Sequence, residues 1–325
     1  MRIYKDKDAD LRHLKGKRVA IIGYGSQGRA QALNLRDSGM DVFVGLHQKS
    51  KKRRLATRDG FRIYSTEKAA ELGEVIVLLA PDHLHQTIFN TQIKDYLKPR
   101  DALILAHAFS VHFKLVVPPK SVDVILVAPH GPGELTRERF VAKKGITSFI
   151  AVHQDYSKKA RKMALAYARA IGATRGGAML TTFKDEAIGD LFGEQAVLCG
   201  GLAQLLKSGF ETLVEDGLSP ENAYFECVHQ IDLIVELINK HGIAGMFERI
   251  SQIAEYGSYL SGRRVINKEE MKKILDQVKN GTFTTKWLKE QKSGLKNYKR
   301  IKKTYKAHLL EKTSEKIRKR VLRTR

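Results

Sequence analysis

The feature that most constrains the fold is a glycine pattern placed between two short apolar runs. Val19–Gly23 is apolar and leads directly into Gly23-x-Gly25-x-x-Gly28, after which a helical pattern and a second apolar run, Asp41–Leu46, follow. Glycines at these positions allow a tight turn and bring the backbone close to a pyrophosphate at a helix N-terminus. Because the motif follows a predicted strand and precedes a predicted helix, it predicts a dinucleotide-binding βαβ unit.

The loop after the second predicted strand indicates which dinucleotide is bound. An NAD site usually carries an acidic residue there, to bond the ribose hydroxyls. This chain has a run of cations and a hydroxyl instead: His47, Lys49, Ser50, Lys51, Lys52, Arg53 and Arg54. Such groups suit a 2′-phosphate, so we expect NADPH in preference to NADH. The candidate cofactor-binding residues in this loop are His47, Ser50 and Lys52.

Further apolar runs continue the alternation of strands and helices. They are Val75–Pro81, Ala102–Phe109, Asp123–Gly133 and Ser148–His153. Continuous apolar runs of this length are typical of strands buried on both faces, so an α/β fold with a doubly wound parallel sheet is predicted. Asp82, His107 and His130 stand at the predicted carboxyl ends of strands, where such sheets bind ligands.

The strand signal ends near Thr182, and the rest of the chain reads as helices. We therefore predict a dinucleotide-binding domain over residues 1–182 and an all-helical domain over residues 183–325. Within an apolar helical stretch, Asp190 and Glu194 lie one turn apart, and Glu226 and Gln230 repeat the spacing. Hard oxygen ligands of this kind suit Mg²⁺. The alternative is that these are solvated or ion-paired surface positions.

The assembled motifs resemble the short-form, class I ketol-acid reductoisomerase family over nearly the whole chain. They are GYGSQG, VVPP, APHGPG, IGATRGG, DLFGEQAVLCGG, AYFEC, GIAGM and AEYG. The resemblance implies conversion of 2-acetolactate or 2-aceto-2-hydroxybutyrate to a dihydroxy acid of branched-chain amino-acid synthesis. It also implies NADPH, two Mg²⁺ ions, a knotted helical domain, and active sites formed between paired subunits.

The resemblance also implies residue roles, position by position. Asp190 bridges both Mg²⁺ ions, Glu194 binds one of them, and Glu226 binds the other or orders its water. Ser251 contacts the substrate carboxylate, and His107 lies beside the nicotinamide. Gly133 lies along the cofactor. The residues that contact the pyrophosphate are Tyr24, Gly25, Ser26 and Gln27. A two-metal site can assist deprotonation of a hydroxyl and polarise a carbonyl, as alkyl migration requires.

Two departures from the family pattern leave other functions open. His130 stands where the family has a lysine, and Gln230 stands where it has a second glutamate, although both remain candidate catalytic or metal-binding residues. Arg29 and Glu134 replace expected histidines. A divergent relative with only 2-ketoacid reductase activity, or a non-catalytic NADPH-binding protein, are the alternatives to full reductoisomerase activity.

Charge and composition limit the partners. The formal charge is +23, but residues 286–325 alone carry 16 Lys or Arg against 3 acids. A solvated helix with a basic end explains this concentration better than a polyanion-binding tail, and no nucleic acid is expected. Two cysteines in apolar contexts suggest buried free thiols, and no apolar run is long enough to span a bilayer. We expect a cytoplasmic homodimer or higher homo-oligomer that acts on a small molecule.

Overall fold

The computed structural model describes residues 2–320 and divides into two compact units, the first ending at Gly189 and the second beginning at Asp190. Nine strands in the described residues form one sheet in the first unit. Their bounds are β1 Ile3–Tyr4, β2 Arg18–Ile22, β3 Asp41–Gly45, β4 Ile63–Tyr64, β5 Val75–Leu78, β6 Ala102–Leu105, β7 Asp123–Pro129, β8 Ser148–Gln154 and β9 Ala178–Leu180.

The sheet confirms the predicted α/β architecture. Its strand order is β1-β9-β8-β7-β6-β5-β2-β3-β4. The six strands from β7 to β4 pair in parallel. The predicted apolar runs each contain a strand. β5, β6 and β7 end before their runs close, whereas β8 extends past His153 to Gln154. The two-residue strands β1 and β4 and the three-residue β9 were not predicted, because such short segments carry too little periodicity.

The sheet departs from the predicted parallel arrangement at β8. This strand runs antiparallel to β7, with Pro129 opposite Ser148. The connecting segment stays at the edge where β7 ends, since the His130 amide donates to the Thr147 carbonyl at 2.9 Å. The chain therefore enters β8 at that edge and returns along the sheet. β1 pairs antiparallel with β9 at the far side.

Helices cover both faces of the sheet and enclose two apolar cores. One core includes Val19, Ile21 and Tyr167, and the other includes Ile22, Leu78 and Phe89. The helices of this unit are α1 Ser26–Asp37, α2 Arg53–Arg58, α3 Thr66–Leu72, α4 Asp82–Ile88, α5 Phe109–His112, α6 Gly133–Val141, α7 Ala160–Ala170 and α8 Ala173–Gly176. α9, Phe183–Gly193, continues from this unit into the next.

The glycines of the first turn are required by close packing. Gly23 has a φ of +99°, and a Cβ there would lie 2.6 Å from the Ala80 backbone nitrogen. A Cβ on Gly28 would lie 2.4 Å from the carbonyl oxygen of Gly23. A larger residue at Gly23 would collide with the backbone that follows β5, and one at Gly28 would push the start of α1 away from the end of β2, so both glycines have the close-packing role that was predicted for the motif.

The second unit is helical throughout its described residues. Its small apolar core consists of Phe210, Ala223, Tyr224 and Ile317, which joins α10 and α11 to α17. After α9 the helices are α10 Gly200–Glu215, α11 Pro220–Tyr224, α12 Ile231–Phe247, α13 Gln252–Ser261, α14 Lys268–Lys279, α15 Thr282–Lys292, α16 Lys296–Ala307 and α17 Leu309–Arg320. Ser219 caps α11 by accepting from the Asn222 amide, with Pro220 at the first helical position, as predicted.

In the described residues the basic C-terminal segment comprises the end of α15 and all of α16 and α17. All twelve residues of α16 are exposed, whereas α17 packs against α11 and ion-pairs with it through Lys316 and Glu221. The last five residues of the predicted basic end lie outside the described residues. None of the helices that the structure describes is long and apolar enough to cross a membrane.

The cysteines differ from expectation. Both are free thiols, but Cys199 is exposed and Cys227 is half-buried. The apolar residues around Cys199 misled the prediction, because Val197 and Leu198 beside it are themselves exposed in the single chain.

Candidate active site

His107 and Glu186 meet at the carboxyl end of β6. His107 follows that strand by two residues, and its side chain is about one-fifth exposed. Glu186 of α9 is 5% exposed, and its Oε2 accepts a hydrogen bond from the Ala108 amide at 2.8 Å. The same oxygen lies 4.0 Å from His107 Nε2. A buried carboxylate thus fixes the backbone beside the histidine predicted to lie near the nicotinamide.

A second, partly buried carboxylate, that of Asp59, lies behind the glycine-rich turn. Tyr24 is 2% exposed, and its hydroxyl donates to Asp59 Oδ2 at 2.9 Å. Arg29 Nε donates to the same oxygen at 2.6 Å, and this guanidinium lowers the pKa of Asp59. Burial and the Asp59 carboxylate raise the pKa of Tyr24, so its phenol stays protonated. Arg29, an apparent departure in the sequence, is therefore the charge partner of Asp59.

The Tyr24 side chain is turned into the fold, so a contact between this residue and a pyrophosphate would come from its backbone. Gln27 Nε2 donates to the Gly131 carbonyl at 2.7 Å, so this side chain is bonded to the loop after β7. Gly25 is the N-cap of α1, and Ser26 and Gln27 open that helix. The first amides of a helix have no intrahelical acceptor, so this terminus can hold a phosphate.

The cationic loop after β3 has a fixed backbone and exposed side chains. His47 Nδ1 accepts from the Lys49 amide at 3.2 Å, and Ser50 Oγ accepts from the Lys52 amide at 3.3 Å. Arg53 Nη1 donates to the Leu46 carbonyl at 3.0 Å, so this arginine supports the strand end. The exposed cationic or hydrogen-bonding side chains around Ser50 include those of His47, Lys49, Lys51 and Lys52.

His130 and Gly133 lie on the loop that follows β7. The His130 ring stands edge-on to Phe149 with centroids 4.3 Å apart, and its Nδ1 lies 3.4 Å from Thr147 Oγ1. A Cβ on Gly133 would lie 2.2 Å from the Ser26 carbonyl oxygen, so this loop touches the start of α1 directly. The structure therefore brings Gly133 to the predicted cofactor turn.

The candidate metal ligands lie on two helices, each interrupted by a π-helical turn. Glu194 begins the turn Glu194–Leu198, and Glu226 lies in the turn Phe225–His229. Such turns often occur at functional sites. Asp190, Glu194, Glu226 and Gln230 are all exposed in the single chain. Gln230 Nε2 donates to the Phe225 carbonyl at 3.3 Å.

The carboxylates have the hard oxygen donors that Mg²⁺ prefers, but one chain does not complete a cage. Among residues 2–320, no group of three or more His, Cys, Asp or Glu side chains is placed to hold a metal ion. The donor chemistry fits Mg²⁺ provided that water, substrate or a second copy supplies further ligands.

Ser251 is the N-cap of α13, and its Oγ lies 3.4 Å from the Ala254 amide that donates to it. Like the start of α1, this helix terminus suits an anionic group. The predicted contact with a substrate carboxylate stays a prediction.

Sequence reasoning missed Glu186 and Asp59. Glu186 carried a signal, because it precedes Asp190 by four residues and Glu194 by eight in one helix. Asp59 carried none, since it meets Tyr24 from 35 residues away.

The fold and site define a class: NAD(P)H-binding oxidoreductases with a Rossmann-type unit followed by a helical unit. The model for the acetohydroxy acid isomeroreductase NADPH-binding domain matches residues 13–177, and that for the ketol-acid reductoisomerase C-terminal domain matches residues 183–322. The chain belongs to the ketol-acid reductoisomerase family.

Solved structures support this assignment. An NADH-preferring ketol-acid reductoisomerase from an uncultured archean is 43% identical, with a TM-score of 0.94 over 98% of this chain and 99% of that chain. A semialdehyde dehydrogenase NAD-binding protein from Cupriavidus necator is 20% identical, with a TM-score of 0.63 over 81% and 99%. A Plasmodium falciparum pyrroline carboxylate reductase is 16% identical, with a TM-score of 0.52 over 82% and 98%. The last two share the fold alone.

Proposed function

We propose that this protein is an NADPH- and Mg²⁺-dependent ketol-acid reductoisomerase. It converts 2-acetolactate or 2-aceto-2-hydroxybutyrate to the 2,3-dihydroxy acid by alkyl migration followed by reduction. The observation that carries the proposal is the row of carboxylates formed by Glu186 and Asp190 in α9 and by Glu194 at the start of the π-helical turn that follows it. The first of them fixes the backbone beside His107 at the dinucleotide edge, and the next two are the acids of the family's metal helix.

The preference for NADPH rests on the loop after β3. Its exposed lysines surround Ser50, and the acidic residue typical of an NAD site is absent from residues 47–54. The archaeal relative is NADH-preferring. We propose the opposite preference here because His47, Ser50 and Lys52 offer donors and charge to a 2′-phosphate.

The residues proposed to hold two Mg²⁺ ions are Asp190, Glu194 and Glu226, with Gln230 as a neutral oxygen donor. Bound there, Mg²⁺ would favour ionisation of the substrate hydroxyl and polarise the carbonyl. Ser251, at the start of α13, would orient the substrate carboxylate. His107, held at the end of β6 through Ala108 and Glu186, would define the face from which the hydride of NADPH reaches the ketone carbon. The alkoxide left by this reduction would take its proton from solvent.

We propose a homodimer or larger homo-oligomer as the active form. In the single chain all four candidate ligands are exposed, and large apolar side chains of the same unit are exposed with them, including Leu198, Leu233 and Ile253. A second copy would cover apolar surface and could add ligands that one chain lacks. We propose a cytoplasmic location and a small-molecule substrate, without a nucleic-acid or membrane partner.

A second candidate function is supported by Gln230. Its amide donates to the carbonyl of Phe225 in its own helix and carries no negative charge. With His130 also replacing a cation, the ligand set could retain ketone reduction and lose alkyl migration. The alternatives are then a 2-ketoacid reductase or a non-catalytic NADPH-binding protein.

The metal assignment can be tested with Asp190→Asn. We expect Mg²⁺-dependent turnover of 2-acetolactate to be lost, while NADPH affinity, measured by fluorescence titration, stays close to that of the wild type. Asp185→Asn, which alters an exposed acid of the same helix, is the control and should retain turnover. Equal loss of turnover and of NADPH binding in Asp190→Asn would show that Asp190 is structural.

A further inference from the structure

The first helix of the dinucleotide-binding unit has a polar face that is buried. Gln31 and Asn34 of α1 are both 0% exposed. Gln27 shares this face, since it precedes them by four and seven residues. Amides in such an environment are costly unless each one is hydrogen-bonded, so their partners must be accounted for.

The partners of two of these amides form a continuous chain of three hydrogen bonds. The Tyr167 hydroxyl of α7 donates to Gln31 Oε1 at 2.7 Å. Gln31 Nε2 donates to Gln27 Oε1 at 3.0 Å, and Gln27 Nε2 donates to the Gly131 carbonyl oxygen at 2.7 Å. The chain thus runs from the core of the unit to the loop after β7.

The direction of every bond in this chain is determined from its end. A backbone carbonyl can only accept, so the NH₂ group of Gln27 must face Gly131. The Gln27 oxygen then faces the NH₂ group of Gln31, and the Gln31 oxygen needs a donor. Tyr167 is 0% exposed and supplies that donor. A phenylalanine at this position would leave the Gln31 oxygen buried without its donor.

The chain ends where the loop and the glycine-rich turn are in contact. Gly133, two residues after Gly131, leaves no room for a Cβ, which would lie 2.2 Å from the Ser26 carbonyl oxygen and 2.6 Å from the Gln27 nitrogen. The Gln27–Gly131 bond therefore holds the loop against the helix start whose amides are available to an anion. A shift of the loop would move those amides as well.

We propose that Tyr167 and Gln31 are positioning residues for the dinucleotide, acting through Gln27 to hold the loop at Gly131–Gly133 against the start of α1. Neither residue needs to touch the cofactor. The inference depends on dinucleotide binding and not on reductoisomerase turnover, so it can fail while the proposed function holds, and the reverse is also possible.

The protein offers a matched control between the same two helices. Ser38, at the other end of α1, donates through Oγ to the carbonyl of Ala170 in α7 at 2.7 Å. Both Tyr167→Phe and Ser38→Ala remove one hydrogen bond between α1 and α7. Only Tyr167 belongs to the chain that reaches the loop after β7.

The test measures dissociation constants for NADPH and NADH in the full-length protein, for the wild type, Tyr167→Phe, Gln31→Leu, the double variant and Ser38→Ala. We expect each constant to rise about three- to tenfold in both single variants. The double variant should bind the dinucleotides no more weakly than the weaker-binding single variant, because either change breaks the same series of hydrogen bonds. Ser38→Ala should match the wild type. Hydrogen exchange at residues 131–136 should quicken in Tyr167→Phe and not in Ser38→Ala.

Unchanged dissociation constants in Tyr167→Phe and Gln31→Leu would overturn the proposal. So would equal weakening in Ser38→Ala, since the effect would then follow general destabilisation. A wild type that binds neither dinucleotide would overturn it as well. A wild type that binds NADPH but does not turn over 2-acetolactate would contradict the proposed function alone.

Discussion

Glu186 accepts a hydrogen bond from the backbone amide of Ala108 at 2.8 Å. This bond links α9 to the residue that follows His107, at the carboxyl end of β6. Because Glu186 is 5% exposed, its carboxylate is shielded from water, and the bond is correspondingly important for the local backbone. α9, which carries the candidate metal ligand Asp190, thus also carries a buried acid that fixes the backbone after β6.

Glu186→Ala should lower the free energy of unfolding by about 1–3 kcal/mol, because the buried Ala108 amide loses its acceptor. Glu186→Gln keeps an oxygen acceptor and should lose less. Urea unfolding measures both, and Asp185→Ala is the control, since it removes the neighbouring exposed acid. Equal stability of Glu186→Ala and the control would contradict the structural role.

Gly133→Ala should weaken dinucleotide binding at least tenfold. Its Cβ would overlap the Ser26 carbonyl and force the loop away from α1. Gly262→Ala meets no atom within 4 Å and should bind as the wild type does. Fluorescence titration with NADPH compares the two variants, and an unchanged affinity in Gly133→Ala would show that the contact is dispensable.

The proposed preference for NADPH can be tested through the loop after β3. The double change Ser50→Asp and Lys52→Asp should weaken NADPH binding by about 1.5–3 kcal/mol for each charged hydrogen bond lost, and NADH binding much less. Lys162→Asp, on an exposed part of α7, controls for the change in net charge. If the wild type already prefers NADH in the same titration, the assignment of NADPH is wrong.

Stability should fall below about pH 6.5 because of His85. Burial lowers the pKa of this histidine, which lies 2.8 Å through Nε2 from the Ala80 carbonyl and 3.1 Å through Nδ1 from Ser110 Oγ. The unfolded chain binds the proton more readily than the folded one. The contribution of neutral His85 to the free energy of unfolding is therefore complete above the pKa that this histidine has in the unfolded chain. It is lost as the pH falls below that pKa.

Thermal unfolding between pH 7.5 and pH 5 measures this loss. His85→Gln cannot take up the proton, so its unfolding midpoint should change less over that range. His241→Gln, at an exposed position, should behave as the wild type does. The same pH dependence in the wild type and His85→Gln would exclude His85 as its source.

The sequence predicted the parallel part of the sheet because long buried strands leave continuous apolar runs, as at Val75–Leu78. It predicted the glycine turn because Gly23 and Gly28 have no sterically acceptable substitutes. The antiparallel direction of β8 was not predicted, because an apolar run does not show at which end of the sheet its strand begins. Contacts between distant residues, such as Tyr24 with Asp59, leave no local pattern at all.

The central claim is tested most directly by measuring NADPH oxidation by the purified protein in the presence of Mg²⁺. The substrate is 2-acetolactate in one assay and 3-hydroxy-3-methyl-2-ketobutyrate in a parallel assay. The account predicts oxidation of NADPH with both substrates and the same 2,3-dihydroxy acid product. Turnover of only the second substrate would show that reduction occurs without alkyl migration, and NADPH binding without turnover of either would show a non-catalytic protein. Either result would contradict the assignment of reductoisomerase activity.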